Sequence, residues 1–302
     1  MSLYRVLFCL LSVLLCYGCG SQKPAEPSPS MPQKSEESAE KKGLPQRIVS
    51  LTPSNTEILF ALGVGERVVG VTTACDYPSE AAQKPKIGGF QISIEKVLGQ
   101  KPDLVVAMDM LNGSAIKELQ RLKVPLLVVS AKSVKETLDA IKKIGEAVGA
   151  EAEAEKLLKD IEARLEKVKQ TNALAQSRPS VLMLYGVNPI YTTGPNSYID
   201  EVITLAGGQN AVAKPLPGDK LSPEQVITLR PDVLIAGKEV LAQVKQMPGW
   251  SSGIPAVQKE HFFKPSNDAV LVRPSPRLPL AVEELATYLR SIQTDPKPPE
   301  SP

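Results

Sequence analysis

The stretch SIEKVLGQKPDLVVA at residues 93–107 recurs, without gaps, as SPEQVITLRPDVLIA at residues 222–236. Each copy begins with a serine suited to cap a helix, continues with a glutamate in the first helical turn, and ends on Pro-Asp followed by an apolar run. An apolar strand that follows a short helix is typical of βαβ units in a parallel sheet. The repeat therefore predicts two α/β lobes with the same local plan.

The residues between the two copies predict a long helix that joins the lobes. Residues 134–148 have the apolar spacing of one helix, and residues 151–170 have that of a second helix with charged residues on its other face. The second stretch contains neither glycine nor proline, so nothing in it interrupts a stiff rod. We therefore predict an α/β fold in which two Rossmann-like lobes with central parallel sheets are joined by a single long backbone helix.

This plan divides the main body of the chain into three segments. We place the N-terminal α/β lobe at residues 46–150, the linking helix at residues 151–174 and the C-terminal α/β lobe at residues 175–293. Residues 294–302 are rich in proline, so we predict a flexible tail there.

Residues 1–19 have the pattern of a lipoprotein-type signal peptide. Arg5 precedes an apolar run at residues 6–15, which is shorter than the ~20 residues that a membrane-spanning helix needs and has the length of a secretory core segment. The run leads to Gly18-Cys19, where a small residue before a cysteine resembles a bacterial lipoprotein signal. We therefore predict export and lipidation of Cys19, with a soluble secreted form or a retained hydrophobic anchor as the alternatives.

Residues 20–45 are rich in proline, serine, glutamate and lysine and hold few large apolar side chains. Such a composition cannot bury a core, so we predict a disordered tether. A lipid on Cys19 followed by this tether would hold the exported protein at a membrane surface, with the body facing the periplasm or the cell exterior.

The composition excludes several classes of function. The formal net charge is +2 over 302 residues, so the chain lacks the electrostatic signature of nucleic-acid binding. His261 is the only histidine, which argues against a histidine-rich zinc site and against serine- or cysteine-protease chemistry. Cys75 is the only cysteine in the body, so no internal disulfide or CxxC motif is available there. With no Walker motif or nucleophile elbow either, we predict no catalytic residues, no bound metal and no cofactor.

Four loops carry aromatic or charged residues near the ends of predicted elements. They hold Tyr77 in CDYP, Phe90 in IGGF, Tyr191 in NPIYTTG and Arg273 in RPSPR. Because ligands of α/β sheets bind outside the carboxyl ends of the strands, we expect these four residues around a common cleft between the lobes. Aromatic walls with few polar groups favour a large, flat, partly apolar ligand.

The motifs together resemble the helical-backbone substrate-binding proteins of ABC importers, which serve cobalamin, iron-siderophore and haem uptake. The resemblance rests on RIVSLTPSNTEILFALG, CDYP, IGGF, the repeat, YTTGPNSYIDEVITLAGGQNA and RPSPRL, and it extends from Arg47 to Ile292. Within this family the chain is most similar to the cobalamin-binding proteins. The resemblance implies a corrinoid ligand contacted by Tyr77, Phe90, Tyr191 and Arg273, with a ferric siderophore or haem as the alternative.

The resemblance also implies a partner, an ABC permease dimer with its ATPase. In this family one surface glutamate on each lobe docks into arginine pockets of the two permease subunits, and Glu95 and Glu224 match those positions. The same two carboxylates also suit the amino ends of their helices, so a purely stabilising role stays open. We expect a monomer that binds no nucleic acid.

Two other classes of function stay open on the sequence alone. An enzyme on a nitrogenase-like two-lobe scaffold would need cysteine ligands for a cluster, and Cys75 by itself argues against it. A surface adhesion module is supported only by the tether and predicts that no small molecule binds.

Overall fold

The computed structural model describes residues 43–173, 175 and 177–293. The predicted signal peptide at residues 1–19, with its lipidation site Cys19, lies outside the described residues. So do the predicted tail at residues 294–302 and all of the tether except residues 43–45. Within the described residues, no helix has both the length and the apolar character needed to cross a bilayer.

The N-terminal half folds around a four-stranded sheet in which every pairing is parallel. Its strands are β1 (Ile48–Ser50), β2 (Val68–Gly70), β3 (Leu104–Met108) and β4 (Leu126–Val129), in the order β2-β1-β3-β4. Its helices are α1 (Pro53–Ala61), α2 (Ser79–Ala82), α3 (Ile94–Gly99), α4 (Gly113–Arg121) and α5 (Val134–Val148). The two central strands β1 and β3 are fully buried, as expected for a parallel sheet that is covered by helices, whereas the edge strand β4 is only partly buried.

A helix of 22 residues, α6 (Glu151–Asn172), connects the two halves. It begins two residues after Gly149, which ends α5 in the left-handed conformation with a φ of 69°. At a rise of 1.5 Å per residue, α6 is about 33 Å long. Ala154, Ile161 and Leu165 lie on its buried face, as the apolar spacing of the sequence predicts.

The C-terminal half repeats this plan with a second parallel sheet and a smaller antiparallel one. The strands are β5 (Ser180–Leu184), β6 (Gly186–Val187), β7 (Ile190–Tyr191), β8 (Gln209–Asn210), β9 (Lys220–Leu221), β10 (Val233–Ala236) and β11 (Phe262–Phe263). The helices are α7 (Tyr198–Leu205), α8 (Pro223–Leu229), α9 (Lys238–Val244), α10 (Trp250–Gly253), α11 (Pro255–Gln258), α12 (Asp268–Val272) and α13 (Leu278–Gln293). The parallel sheet has the order β11-β10-β5-β8, and the antiparallel sheet has the order β6-β7-β9.

The internal repeat occupies equivalent places in the two parallel sheets. In each half it forms a short helix, α3 or α8, that leads into the strand beside the first strand of that half, β3 beside β1 and β10 beside β5. The side chains of Ser93 and Ser222 cap the two helices, each accepting a hydrogen bond from the backbone N–H three residues on. The two parallel sheets also share one strand order, so the predicted α/β fold with two similar lobes is confirmed.

One apolar core runs through both halves along α6. It includes Ile48 of the first sheet, Ile161 of the linking helix, Val181 of the second sheet and Val282 of α13, all buried. Each half also has a smaller apolar cluster on the other face of its sheet. The halves are therefore packed together beside α6 and can separate only on the side away from it.

Candidate functional site

A cleft with a volume of about 530 Å³ opens between the two halves. On the N-terminal side its wall includes Met108 at the end of β3 and the two exposed residues Met110 and Leu111 just beyond. On the C-terminal side it includes Tyr185, directly after β5, and Val272 at the end of α12. The cleft therefore lies at the carboxyl ends of the strands in both sheets, which is where α/β proteins bind ligands.

The cleft wall exposes several large apolar side chains. Met110 and Leu111 are 59% and 57% exposed, and Tyr185 and Val272 are also accessible. Clustered exposed apolar surface on a soluble domain marks a place where another molecule binds. Methionine side chains adapt their shape to a ligand, so this wall suits a partly apolar molecule with an irregular outline. The volume falls within the roughly 300–1,000 Å³ of small-molecule pockets.

Of the four predicted cleft residues, the structure places Arg273 in the wall of this cavity. Tyr77 and Tyr191 are about half exposed and Phe90 is 98% exposed, and all three rings lie outside the wall. Tyr77 stacks on Arg277, and the ring of Tyr191 lies 5.2 Å from the ammonium of Lys220. Contact between these rings and a ligand stays a prediction.

The residues that form the apolar wall were not predicted from the sequence, namely Met108, Met110, Leu111, Tyr185 and Val272. The first four of these residues could have been found from their position in the sequence, directly after a predicted strand. Met108, Met110 and Leu111 directly follow the apolar strand of the first repeat copy, and Tyr185 directly follows β5. In a parallel sheet those positions face the ligand edge whatever their residue type.

A buried carboxylate on α1 ties the two halves together across the cleft. Glu57 lies one turn into α1, and its side chain is only 2% exposed. The guanidinium of Arg277, which comes from the loop between α12 and α13, donates two hydrogen bonds to the Glu57 carboxylate, with Nε at 2.8 Å from Oε2. Buried charges are tolerated when they are paired in this way, and the bidentate geometry fixes both side chains.

Arg273 adds a second bridge to the N-terminal half. Its Nη1 lies 3.3 Å from Oε1 of Glu57 and also donates to the carboxylate of Asp76. Its Nη2 donates to the carbonyl oxygen of Ala74 at 3.1 Å. The hydrogen bond from Arg273 is the main cause that lowers the pKa of Asp76, so this carboxylate is ionised at neutral pH.

Arg277 is covered on its flat side by Tyr77. The centre of its guanidinium lies 4.2 Å from the ring centroid, within the range of a cation–π contact. Since the edge of the same guanidinium is bonded to Glu57, Arg277 is held on two sides. Tyr77 therefore belongs to the charged network between the halves.

Two tyrosines of the cleft are held in the neutral form. Partial burial, together with the nearby Asp219 carboxylate, raises the pKa of Tyr185 to about 12. Burial is also the main cause that raises the pKa of Tyr198, whose hydroxyl donates to the Arg273 carbonyl at 3.3 Å. Neutral phenols serve as hydrogen-bond donors and contact surfaces.

Three further side chains, a histidine, a cysteine and a tryptophan, lie outside the cleft wall. His261 precedes β11, and its Nδ1 lies 3.2 Å from the carbonyl of Asp232 at the amino end of β10, which is the edge opposite the cleft. Cys75 is buried, with its sulfur 3.2 Å and 3.1 Å from the hydroxyls of Thr56 and Thr72. Trp250 is fully buried in the core of the C-terminal half. All three side chains are therefore placed to support the fold and not to contact a ligand in the cleft.

Glu95 and Glu224 are exposed in the first turns of α3 and α8. Both helices lead into strands of their sheets, so the amino end of each helix lies at the carboxyl edge of the sheet beside the cleft. The hydroxyl of Ser222 is the main cause that lowers the pKa of Glu224. The two carboxylates thus present negative charge on the same side of the molecule, one from each half.

The fold and the cleft define a two-lobed ligand-binding protein, and comparison with known proteins gives its family. Residues 48–269 match the family of periplasmic binding proteins. The chain is 34% identical over 297 residues to the ABC transporter substrate-binding lipoprotein YvrC of Bacillus subtilis, over 92% of this chain and 93% of that protein. The chain belongs to the periplasmic binding protein family. It is accordingly a binding protein of the ABC-transporter class and not an enzyme.

Solved structures agree with this assignment. The periplasmic vitamin B12-binding protein BtuF of Vibrio cholerae matches with a TM-score of 0.74 at 29% identity, over 83% of this chain and 99% of that one. The periplasmic haem-binding protein RhuT from Roseiflexus sp. RS-1, in its apo form, matches with a TM-score of 0.72 at 30% identity, over 82% and 98%. The fold is therefore shared by relatives that bind different ligands.

Proposed function

We propose that this protein captures cobalamin or a related corrinoid in the cleft between its lobes and delivers it to the permease dimer of an ABC importer. The observation that carries the proposal is the wall of Met108, Met110, Leu111, Tyr185 and Val272 at the carboxyl ends of both sheets. A large ring with an apolar face and polar edges is the kind of ligand that such a wall contacts over a wide area. The likeness to the vitamin B12-binding protein of Vibrio cholerae supports the same ligand.

Calorimetric titration of the purified protein with cyanocobalamin and with dicyanocobinamide tests this proposal. Saturable 1:1 binding of both ligands is expected, because the wall contacts a ring that the two share. Binding of cyanocobalamin alone would mean that the nucleotide tail is also recognised. No heat with either ligand at micromolar concentration would contradict the proposal, while the assignment to the binding-protein family would remain.

The second candidate is haem or a ferric siderophore, supported by the likeness to a haem-binding protein. Haem iron in a protein needs an axial ligand. His261 lies at the opposite edge of the sheet and is not placed to bind haem iron in the cleft. Titration with haem, followed by the Soret absorbance, is expected to give no saturable shift. A saturable shift at one equivalent, with no corrinoid binding, would favour haem over cobalamin.

We further propose that Glu95 and Glu224 dock the loaded protein on the permease, and that a lipid on Cys19 holds the monomeric protein at the membrane. The two exposed carboxylates beside the cleft support the docking role, because they present one charge from each half to a partner with two similar subunits.

The lipoprotein relative from Bacillus subtilis supports the lipid anchor on Cys19. Replacing Cys19 by serine is expected to move the protein from the membrane fraction to the soluble fraction.

A further inference from the structure

The two cations in the wall of the cleft are both paired with carboxylates of the N-terminal half. Arg273 bonds to Asp76 and Glu57, and Nζ of Lys132 lies 3.4 Å from the carboxylate of Asp109. The two pairs differ in rigidity. The Arg273 side chain is 16% exposed and held by three partners, whereas the Lys132 side chain is 55% exposed. Arg273 is therefore the cation whose charge acts on a ligand deep in the cleft.

The hydrogen-bonding capacity of Arg273 is largely used within the protein. Its Nη1 donates to two carboxylates, and its Nη2 donates to the carbonyl of Ala74 and lies 3.4 Å from a second oxygen of Asp76. An anionic ligand that approached Nη1 or Nη2 would have to displace one of these acceptors to bond that side of the guanidinium. It would also approach the carboxylate of Asp76 or Glu57, which is already bonded to Arg273, and the two negative charges would repel each other.

The charged network of Glu57, Asp76, Arg273 and Arg277 has no net charge, because it contains two cations and two anions. Arg277 and Glu57 cancel each other in a buried bidentate pair, and Arg273 and Asp76 form the second pair. Of the two carboxylates, Asp76 is the one that faces solvent, with its side chain 59% exposed. Asp76 is therefore the carboxylate of the network that can be replaced without removing a buried side chain, and its replacement leaves Arg273 paired with Glu57 alone.

We propose that Asp76 sets the charge selectivity of the cleft by cancelling Arg273, so that the site accepts an uncharged ring ligand and rejects anionic chelates. The inference rests on the proposed function, since it names the class of ligand for the same cleft. A ligand carboxylate entering this site would lose its hydration without gaining a free cation, and the net cost falls on anionic ligands alone.

Two corrinoids that share one ring test the inference. Dicyanocobinamide is uncharged, and dicyanocobyrinic acid carries carboxylates in place of the amide side chains. Their affinities for the purified protein are measured by absorbance titration at low ionic strength, where charge effects are least screened. The protein itself is expected to prefer the uncharged ring by at least about tenfold, because the ligand carboxylates lose hydration without gaining a free cation.

Three variants change the net charge of the network in known steps. Asp76→Asn makes it positive and is expected to reduce the preference for the uncharged ring by about tenfold. Arg273→Gln makes it negative and is expected to increase the preference. The double variant restores a balanced charge and is expected to return the ratio of affinities toward that of the unchanged protein.

The matched control is Glu118→Gln. Glu118 is also a carboxylate paired with an arginine, Arg121, but it lies on the exposed face of α4 and outside the cleft wall. Its substitution is expected to leave the ratio unchanged. Equal binding of the two rings, or the same ratio in Asp76→Asn as in the control, would overturn the inference alone. Failure of both rings to bind the unchanged protein would overturn the proposed function and this inference with it.

Discussion

At the scale of single residues, Glu57 is the side chain on which the relation between the two halves depends most. It comes from the N-terminal half, and its partners come from the C-terminal half more than 200 residues later. A buried carboxylate with this many charged donors is stabilising only as long as all partners are present. The loss of Glu57, or of its arginine partners, leaves an unpaired charge that water does not reach.

Glu57→Gln is expected to lower the free energy of unfolding by about 3 kcal/mol, because two guanidinium groups lose their buried counter-charge. Urea denaturation followed by circular dichroism measures the change. Glu118→Gln, which opens an exposed pair on α4, is expected to change the same quantity by less than about 0.5 kcal/mol. Equal effects of the two substitutions would contradict the assigned importance of the buried network.

Asp76 gives the network a dependence on pH whose sign follows from its lowered pKa. A carboxyl whose pKa is lower in the folded protein contributes stability above its unfolded pKa, and this contribution is lost as the pH falls through the folded value. The melting temperature of the protein is therefore expected to exceed that of Asp76→Asn at neutral pH. The difference should disappear in acid, below the ordinary titration range of aspartate near pH 3.9. A difference that is constant over this range would mean that ionised Asp76 does not stabilise the fold.

The sequence allowed part of the site to be predicted. It predicted Arg273 in the cleft, because a charged residue after the last strands of an α/β lobe falls near the ligand edge. It could not predict the pairing of Arg273 with Asp76 and Glu57, because contacts across 197 and 216 residues leave no local pattern. For the same reason the sequence could not predict that Tyr77 stacks on Arg277, 200 residues later in the chain. The sequence predicts Tyr77 as a ligand contact, and that contact stays a prediction.

At the scale of elements, the repeat predicts local structure because each of its residues acts through the backbone nearby. The Pro-Asp of each copy shows this most directly. The Asp103 carboxylate accepts hydrogen bonds from the backbone N–H groups of Gln46 and Arg47, at 2.7 Å and 2.8 Å, just before β1. The Asp232 carboxylate accepts from the N–H of Ser180 at the start of β5, at 2.9 Å. Each aspartate thus fixes the first strand of its half beside the repeat strand.

Asp103→Ala is expected to destabilise the protein by about 1–2 kcal/mol, and Asp232→Ala by less, because the first loses two backbone hydrogen bonds and the second loses one. Denaturant unfolding measures both changes. Amide hydrogen exchange adds a local readout, since the N–H of Arg47 should exchange faster in Asp103→Ala but not in Asp232→Ala. If Asp232→Ala destabilised the protein more than Asp103→Ala, the number of backbone hydrogen bonds lost would not explain the two effects.

Elements without periodic patterns were harder to predict. Helices α5 and α6 follow the apolar spacing of the sequence closely, because each buries one face over several turns. The small sheet of β6, β7 and β9 was not predicted, because strands of two residues are too short for alternation to be visible. Its pairing depends on contacts between β7 and β9, which are distant in the chain.

At the scale of the whole molecule, the continuous core along α6 and the charged network at the cleft both hold the two halves together. Ile161 of α6 is buried in a cluster that includes residues of both sheets, so the halves cannot separate there without exposing apolar surface. At the cleft, Glu57 and Asp76 are bonded to Arg273 and Arg277. These two sets of contacts restrict the width of the cleft, which favours a site that is largely formed before ligand binds.

A binding site of fixed shape leaves the permease little change of outline to detect, so docking should depend on fixed surface charges. Glu95 and Glu224 offer one such charge from each half on the cleft side. The double variant Glu95→Arg/Glu224→Arg is expected to bind corrinoid like the unchanged protein but to lose transport, because the new positive charges would repel the arginine pockets that the family resemblance implies on the permease. Either single variant is expected to give an intermediate transport rate.

The matched control is Glu66→Arg/Glu260→Arg, which makes the same change of charge with one exposed glutamate in each half. Glu66 precedes β2 and Glu260 precedes β11, so both lie at the amino edges of their sheets, opposite the cleft. Uptake of radiolabelled cyanocobalamin by cells that carry each variant, together with ligand titration of the purified proteins, separates docking from binding. Normal uptake with Glu95→Arg/Glu224→Arg, or equal loss with the control, would show that these two carboxylates act only on their own helices, as the capping serines beside them do.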